Sequence, residues 1–230
     1  SIPLYYDGLP CKIVLKGICD SNEALAKKGV EQAGFEFSTT DFQDLVQRKD
    51  IDVINVCTPN KMHYDAVLAA MKNGKHVYCE KPLAFNEKEA RELVRVAESS
   101  GVKHQITSEY RFIPAIMKAK ELIDQGFVGR VFHFRGVYLH SGYIDPKRPR
   151  EWRMQKDVIG GGVLVDLGPH LLDIMHYLVG EIEEASGTME TFFKERPLPE
   201  DPTKMGKVEV EDAITVIFRF KNGALGSADL

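Results

Sequence analysis

Residues 53–82 read VINVCTPNKMHYDAVLAAMKNGKHVYCEKP, and this stretch decides the fold class. Val53–Cys57 is a β-branched run with a single polar member, which predicts a strand covered on both faces. Met62–Asn73 predicts a helix ended by a glycine, and His76–Cys79 is a second short strand. A strand, a helix and a strand at this spacing predict a βαβ unit with parallel strands.

The same alternation continues on both sides of this stretch. Upstream, Lys12–Cys19 predicts a strand, and residues 22–33 predict a helix with Ser21 as its N-cap. Downstream, residues 86–100 predict an amphipathic helix and residues 103–107 a further strand. The chain is therefore predicted to begin with an α/β domain built on a parallel sheet, over residues 1–108.

The second half, residues 109–230, has a different pattern. Arg130–His140 alternates as RVFHFRGVYLH, in the manner of an antiparallel strand. Ile182–Phe193 and Ala224–Leu230 also predict strands, and Val208–Phe220 (VEVEDAITVIFRF) is followed by Lys-Asn-Gly, a hairpin signal. We therefore expect an α+β domain with an open, mostly antiparallel sheet.

Composition narrows the class of protein. The 230 residues include 30 Lys+Arg and 34 Asp+Glu, for a net charge of -4, so no basic surface for nucleic acid is predicted. No stretch of about 18 apolar residues is present, so no membrane span is predicted. The four cysteines lack a C-x-x-C spacing and are expected to be buried reduced thiols, which favours a cytoplasmic location; they are Cys11, Cys19, Cys57 and Cys79.

Polar side chains follow three of the predicted parallel strands, at the sheet edge where such folds bind ligands. Asp20 ends the first of these strands, Glu80 and Lys81 end the third, and the second is followed by Thr58, Pro59 and Asn60, with His63 one turn on. Alone, each has an ordinary structural interpretation as turn residue, helix cap or solvated charge. Together they favour a binding site. An acidic residue at the position of Asp20 accepts hydrogen bonds from ribose hydroxyls and repels a 2′-phosphate, which favours NAD over NADP.

A second cluster follows Gly160-Gly161-Gly162. Asp166 and His170 are four residues apart and share a helix face, although Pro169 predicts that the helix either kinks or restarts there. A histidine beside a carboxylate suits proton transfer, and the carboxylate is expected to raise its pKa. A core histidine is an equal alternative. A metal site that also uses Asp173 is a third, but catalytic zinc usually takes more His or Cys, so no metal is predicted.

Four motifs resemble, in order and spacing, the Gfo/Idh/MocA oxidoreductases: Glu80-Lys81-Pro82, Glu109-Tyr110-Arg111-Phe112, Trp152-Arg153 and the run GGG-x-x-x-D-x-G-x-H-x-x-D. The resemblance covers the whole chain. It implies a Rossmann dinucleotide-binding domain followed by an α+β domain for substrate binding and oligomerisation. It also implies hydride transfer between NAD, or alternatively NADP, and a sugar, polyol or related alcohol or ketone.

The resemblance also assigns roles to individual residues. Lys81 matches the family's active-site lysine, often followed by a cis proline, and Asp166 and His170 match its acid–base pair; all three would contact substrate. The remaining matches lie along the cofactor or its cleft: Thr58, Pro59, Asn60, His63, Glu80, Lys81, Arg111, Trp152 and Arg153. Two further candidates come from position alone: Asp20 at its strand end for the cofactor, and Tyr143, whose loop either reaches substrate hydroxyls or is simply solvated.

One feature departs from the family pattern. The motif G-x-G-x-x-G should precede Asp20 by about 20 residues, but residues 1–19, SIPLYYDGLPCKIVLKGIC, contain no such glycine triplet. We therefore expect the chain to be a segment that lacks the first strand with its glycine loop, and the C-terminal end beyond Leu230. A non-catalytic sensor of dinucleotide or sugar is the alternative function, and a homodimer or homotetramer is the expected assembly.

Overall fold

The computed structural model describes residues 12–230 of the chain. Cys11 lies outside the described residues. The chain forms two compact units. The first contains residues 12–57, His63–Cys79 and Lys88–Gln105, and the second contains Thr58–Met62, Glu80–Glu87 and Ile106–Leu230. The second unit therefore gathers two short segments from within the first half of the sequence.

The first unit is a parallel α/β structure, as predicted. Strands β1 and β2 pair in parallel, β3 pairs in parallel with β4, and β5 lies on the far side of β4. Four helices connect these strands. The elements are β1 (Gly17–Cys19), α1 (Glu23–Ala33), β2 (Phe37–Thr39), α2 (Gln43–Val46), β3 (Val53–Val56), α3 (His63–Lys72), β4 (His76–Cys79), α4 (Glu87–Ser100) and β5 (His104–Ile106).

Two local expectations in this unit are wrong. Strand β3 buries Ile54 and Val56, but Val53 is 54% exposed, because an apolar run does not report which of its faces a neighbour covers. Asn22 rather than Ser21 caps α1, because the helix begins one residue later and Asn22 Oδ1 accepts the amides of its first turn.

The cysteines give a mixed result. Within residues 12–230, no disulfide joins Cys19, Cys57 or Cys79. Only Cys79 is buried, whereas Cys19 is half-buried and Cys57 is exposed, so the expectation of burial is wrong for two of the three.

The second unit is built on a four-stranded mixed sheet with the strand order β6-β11-β10-β7, together with a separate two-stranded hairpin, β8-β9. Its helices include a broken pair, α7 and α8, that carries the predicted acid–base residues. The elements are α5 (Pro114–Asp124), β6 (His133–Val137), α6 (Lys156–Ile159), α7 (Val163–Asp166), α8 (Gly168–Leu178), β7 (Ile182–Glu190), β8 (Glu195–Pro197), β9 (Met205–Lys207), β10 (Ala213–Phe220) and β11 (Leu225–Asp229).

Strand β10 organises the core of this unit. Its inward side chains Ile214 and Phe218 are buried against Leu171 and Met175 of α8, whereas Ile217, which points to the other face, is 62% exposed. Burying one face of each element removes apolar area from water, which is the main driving force for this packing.

The predicted hairpin is present, with β10 and β11 antiparallel and Gly223 at a φ of +83° in the turn. The antiparallel expectation for β6 is wrong, because β6 pairs with β11 in parallel. Alternation in a sequence reports that one face is buried, but not the direction of the neighbouring strand.

No single helix within residues 12–230 is long and apolar enough to cross a membrane. The segments Lys156–Asp166 and Gly168–Leu178 meet that criterion only as a pair, bent by 41°. Four residues of the second segment, Gly168, His170, Leu171 and Met175, are buried within the second unit.

Candidate active site

The triple-glycine run allows the backbone before α7 to approach the start of β10. A Cβ atom at Gly162 would lie 1.9 Å from the carbonyl oxygen of Glu211, so no other residue fits there without displacing the backbone. Gly160 adopts a φ of +93°. Glu211 then closes the start of α7, because its carbonyl oxygen accepts the Val163 amide and its Oε1 accepts the Leu164 amide at 3.1 Å.

Helix α7 ends at Asp166, and α8 restarts at Gly168 with Pro169 in its first turn. Of the two predicted consequences of Pro169, the restart is therefore confirmed. The missing N–H of proline costs nothing in the first turn of a helix, where it would have no intrahelical partner. The break places Asp166 at the end of one helix and His170 at the start of the next.

Lys81 and Asp166 form the central ion pair of the site. The Lys81 Nζ atom lies 2.6 Å from Asp166 Oδ1 and donates a second hydrogen bond, 2.8 Å long, to the Asp166 carbonyl oxygen. The Lys81–Pro82 bond is cis, as the family resemblance implies. An ammonium group has three donors, so one N–H of Lys81 remains for a substrate oxygen.

His170 is buried beside this pair and has its own set of neighbours. Its ring stacks on Tyr110 with 4.3 Å between centroids and 17° between planes. Its Nδ1 atom faces Glu109 Oε1 at 3.8 Å. The Tyr110 hydroxyl lies 2.6 Å from the hydroxyl of Tyr138, and this hydrogen bond raises the pKa of Tyr110 to about 12. The phenol therefore stays protonated at neutral pH and holds the stacked ring in place.

The structure corrects two expectations about His170. Asp166 forms no hydrogen bond with His170 within the described chain, because its carboxylate is bound to Lys81. The pKa of His170 is lowered rather than raised, because burial disfavours the imidazolium more than the charge of Glu109 favours it. His170 is therefore a neutral base at neutral pH, with its Nε2 atom left for a substrate.

Two predicted site residues use their polar groups within the fold. The Arg111 guanidinium donates two hydrogen bonds to the Asp173 carboxylate on α8. Asp173 is the third residue of the alternative metal site, and its carboxylate is bound to Arg111 instead. The Asn60 side-chain amide donates a 2.9 Å hydrogen bond to the Ile159 carbonyl oxygen. Their expected roles along the cofactor stay predictions.

The other predicted residues divide between the two units. In the second unit, the Arg153 guanidinium lies 4.2 Å from the ring centroid of Trp152, and the Glu80 carboxylate accepts the Lys81 amide. Thr58 and Pro59 belong to this unit as well, with Thr58 half-buried and Pro59 exposed. The residues of the first unit are Asp20, which is half-buried, and His63, which is fully buried.

A cavity of about 240 Å³ opens beside Asp166 in the second unit. Three predicted site residues, Tyr143, Arg153 and Asp166, are among its lining residues, and most of the others are apolar or aromatic. These include Tyr138, Leu139, Ile144, Met154, Leu167, Phe192 and Phe193. Such a lining suits a compact ring held by a few polar contacts.

Comparison with known sequences identifies the family. Residues 6–108 match the profile described as "Oxidoreductase family, NAD-binding Rossmann fold", and residues 116–230 match the GFO/IDH/MocA C-terminal domain. The chain belongs to the Gfo/Idh/MocA family.

Three similar proteins illustrate the relationship of this Gfo/Idh/MocA member to others. It is 35% identical over 242 residues to the levoglucosan dehydrogenase of Pseudarthrobacter phenanthrenivorans, covering 100% of this chain and 62% of that protein. It is 30% identical over 203 residues to the 1,5-anhydro-D-fructose reductase of Ensifer adhaerens, covering 87% of this chain and 57% of the relative. A structure of levoglucosan dehydrogenase with NADH and L-sorbose superposes with a TM-score of 0.94 at 36% identity, covering 99% of this chain and 61% of the other. The chain thus spans about three fifths of the length of these relatives.

Three neighbours in the site of this family member were not predicted from sequence. Glu109 and Tyr110 belong to the motif Glu109-Tyr110-Arg111-Phe112, but the family resemblance implies a role only for Arg111. Glu211 gave no signal, because a single glutamate before a strand is common. The one available clue was the aromatic residue at position 110, since tyrosines near catalytic groups often supply a flat packing surface.

We expect Glu109→Gln to move the NMR titration midpoint of His170 to a lower pH than in the wild type. The Glu109 charge favours the imidazolium, so removing it leaves burial less opposed. The activity of the complete protein should then persist to lower pH, because neutral His170 is the active form. Glu200→Gln, at an exposed site, is the matched control. A midpoint that rises or stays fixed in Glu109→Gln would contradict this account of the site.

Proposed function

We propose that the complete protein is an NAD-dependent dehydrogenase that acts on a CH–OH group of a sugar, polyol or related alcohol, or reduces the matching ketone. The observation that carries the proposal is the Lys81–Asp166 pair with neutral, buried His170 next to it. It supplies a fixed hydrogen-bond donor and a proton acceptor side by side, which is what oxidation of an alcohol requires.

Each residue has a separate task in this proposal. The free N–H of Lys81 donates a hydrogen bond to the reacting oxygen, and Asp166 holds the ammonium group by two contacts. His170 Nε2 accepts the hydroxyl proton during oxidation and returns it during reduction. The nicotinamide ring, when bound, accepts or supplies the hydride. Tyr110 fixes the plane of the imidazole, so that the proton transfer has one geometry.

Asp20 fits the proposed cofactor. It directly follows β1, and its Oδ1 atom accepts the Asn22 amide at 2.8 Å. The other carboxylate oxygen remains for a ribose hydroxyl. We assign dinucleotide binding to residues 1–108, with Thr58, Pro59, His63 and Glu80 along the cofactor, and substrate binding to residues 109–230.

Support for a sugar-like substrate comes from the relatives, one named for levoglucosan and one for 1,5-anhydro-D-fructose. The cavity beside Asp166 has room for a single small ring. Cys19, Cys57 and Cys79 form no disulfide within the described residues, which is in keeping with a cytoplasmic location. A non-catalytic sensor is the weaker candidate, because a sensor has no need of the lysine, aspartate and histidine together.

We expect Lys81→Ala in the complete protein to lower kcat by about a hundredfold, the usual scale for a positioned proton-transfer group. Affinity for NADH, measured by fluorescence titration, should change little. The measurement is absorbance of the reduced nicotinamide with a panel of sugars and polyols. Lys72→Ala, at an exposed site on α3, controls for loss of a lysine.

His170→Asn should lower kcat on the same scale and remove the acidic limb of the pH–rate profile. Near-normal turnover in both variants would remove the site from the mechanism. Wild-type NADH binding with no turnover on any member of the panel would favour the sensor.

We expect Asp20→Ala combined with Ser21→Arg to raise kcat/KM with NADP relative to NAD by about tenfold, because the repulsion between Asp20 and a 2′-phosphate is replaced by attraction. Asp52→Ala, an exposed aspartate of the same unit, is the control and should leave the preference unchanged. A wild type that already prefers NADP would show that Asp20 does not set the cofactor choice.

We also propose a homodimer or homotetramer formed through the outer face of the four-stranded sheet. Ile217 is 62% exposed at the centre of that face, opposite Ser227 of β11 and Ser186 of β7. Along β10 the same face carries Thr215 and Arg219 on either side of Ile217, and such an amphipathic face suits a partner surface that a second copy can cover symmetrically.

Light scattering of the complete protein at micromolar concentration should give a dimer or tetramer mass, and Ile217→Lys should lower it to the monomer. Phe127→Lys, which adds the same charge at an exposed phenylalanine outside the sheet, should leave the mass unchanged. A monomer in the wild type would mean that this face is covered within one chain.

A further inference from the structure

Arg196 is a buried cation that the proposed chemistry does not use. It lies on β8 with none of its surface exposed. Arginine is rarely buried without a carboxylate partner, because the desolvation of its charge must be compensated. Arg196 forms no ion pair with any carboxylate of residues 12–230.

Backbone carbonyl groups take the place of that carboxylate. Arg196 Nη1 donates a 2.7 Å hydrogen bond to the Asp145 carbonyl oxygen, and Nη2 donates to the carbonyl oxygen of Tyr143 at 2.5 Å. The guanidinium carbon lies 4.8 Å from the ring centroid of Phe193 and 5.9 Å from that of Tyr143. The charge is therefore stabilised by two carbonyl dipoles and two aromatic faces.

The hairpin β8-β9 directs the Arg196 side chain toward these carbonyl groups and aromatic rings. Within β8, Glu195 is exposed and Arg196 is buried, as the alternation of a strand requires. Opposite Arg196 in the register is Gly206, where a Cβ atom would lie 2.5 Å from the Leu198 side chain and 2.9 Å from that of Arg150. The hairpin is tied to the chain a second time, because the Arg150 amide donates to the Pro197 carbonyl oxygen at 2.8 Å.

The segment held in this way forms a wall of the cavity beside Asp166. We call residues 138–153 the substrate loop. Tyr143 and Ile144 of this loop line the cavity together with Phe193 and Asp166. Arg196 contacts the loop carbonyls and the Phe193 ring at once, so it fixes two of the surfaces that face a bound molecule.

A second arginine, Arg148, stabilises the part of the substrate loop that Arg196 does not contact. Arg148 donates to the Gly142 carbonyl oxygen and to Glu151, which also accepts the Tyr143 hydroxyl at 3.3 Å. These contacts lie within the loop itself. Arg196 joins the loop to β8 through its side chain, beside the backbone hydrogen bond from Arg150 to Pro197.

We infer that Arg196 is a positioning residue that sets the conformation of the substrate loop and, through it, the substrate specificity of the cavity beside Asp166. The positioning stands on the contacts alone, whereas its kinetic consequence rests on the proposed dehydrogenase function. Arg196 does not touch the reacting atoms. Its loss is therefore expected to raise KM and broaden specificity, with a smaller effect on kcat.

The test compares Arg196→Lys and Arg196→Met with the wild type by hydrogen exchange and by kinetics. Lysine keeps the positive charge but lacks the planar guanidinium that donates to both carbonyl groups. The exchange rates and the KM of Arg196→Lys should therefore lie between those of the wild type and Arg196→Met. Amides of residues 141–150 should exchange about tenfold faster or more in Arg196→Met, while those of β10 and β11 keep their protection. Arg130→Met, at an exposed arginine, is the matched control.

With the substrate that the wild type uses best, KM should rise about tenfold or more in Arg196→Met and less in Arg196→Lys, with kcat falling by a smaller factor. Unchanged exchange in the loop would overturn the inference. Exchange that rises equally in the loop, β10 and β11 of both variants would overturn it too, because Arg196 would then be a general core residue. Failure of the proposed function appears differently, as no turnover by the wild type, and leaves the exchange result intact.

Discussion

The ion pair between Lys81 and Asp166 is the interaction on which the arrangement of this site depends. It joins two residues that are 85 positions apart in sequence, and both charges are partly buried. Removing one partner of such a pair leaves the other without compensation, which is more costly than losing the pair as a whole. Because the Asp166 carboxylate is bound to the Lys81 ammonium group, it is not the hydrogen-bond partner of the nearby His170.

The pairing of Asp166 with Lys81 explains the environment of His170. A carboxylate paired with a histidine raises the pKa of the imidazole and favours its charged form. Here burial lowers its pKa, and the stacked Tyr110 and the more distant Glu109 define its orientation without fixing a charge on it. The site thus keeps its cation on Lys81 and its neutral base on His170, two groups whose environments suit them to different tasks.

Backbone carbonyl groups also shape the surroundings of the site. The Glu211 carbonyl fits against Gly162 and sets the start of α7, and the carbonyls of Tyr143 and Asp145 hold Arg196. The first arrangement needs glycine at position 162, because a Cβ atom there would lie 1.9 Å from the Glu211 carbonyl oxygen. Gly162, Glu211 and Tyr143 line the cavity beside Asp166, so both arrangements lie next to it.

The sequence by itself determined the alternation of strands and helices, the hairpin of β10 and β11, and the chemical candidates Lys81, Asp166 and His170, because periodicity and residue type are local properties. It did not determine the parallel pairing of β6, the exposed face of β3, the partner of Asp166 or the direction of the pKa shift of His170. Each of these depends on residues distant in the chain. Arg196 shows the same limit most clearly. An arginine in a short strand predicts a solvated charge, and only the tertiary fold buries it against the carbonyl groups of a loop about 50 residues earlier.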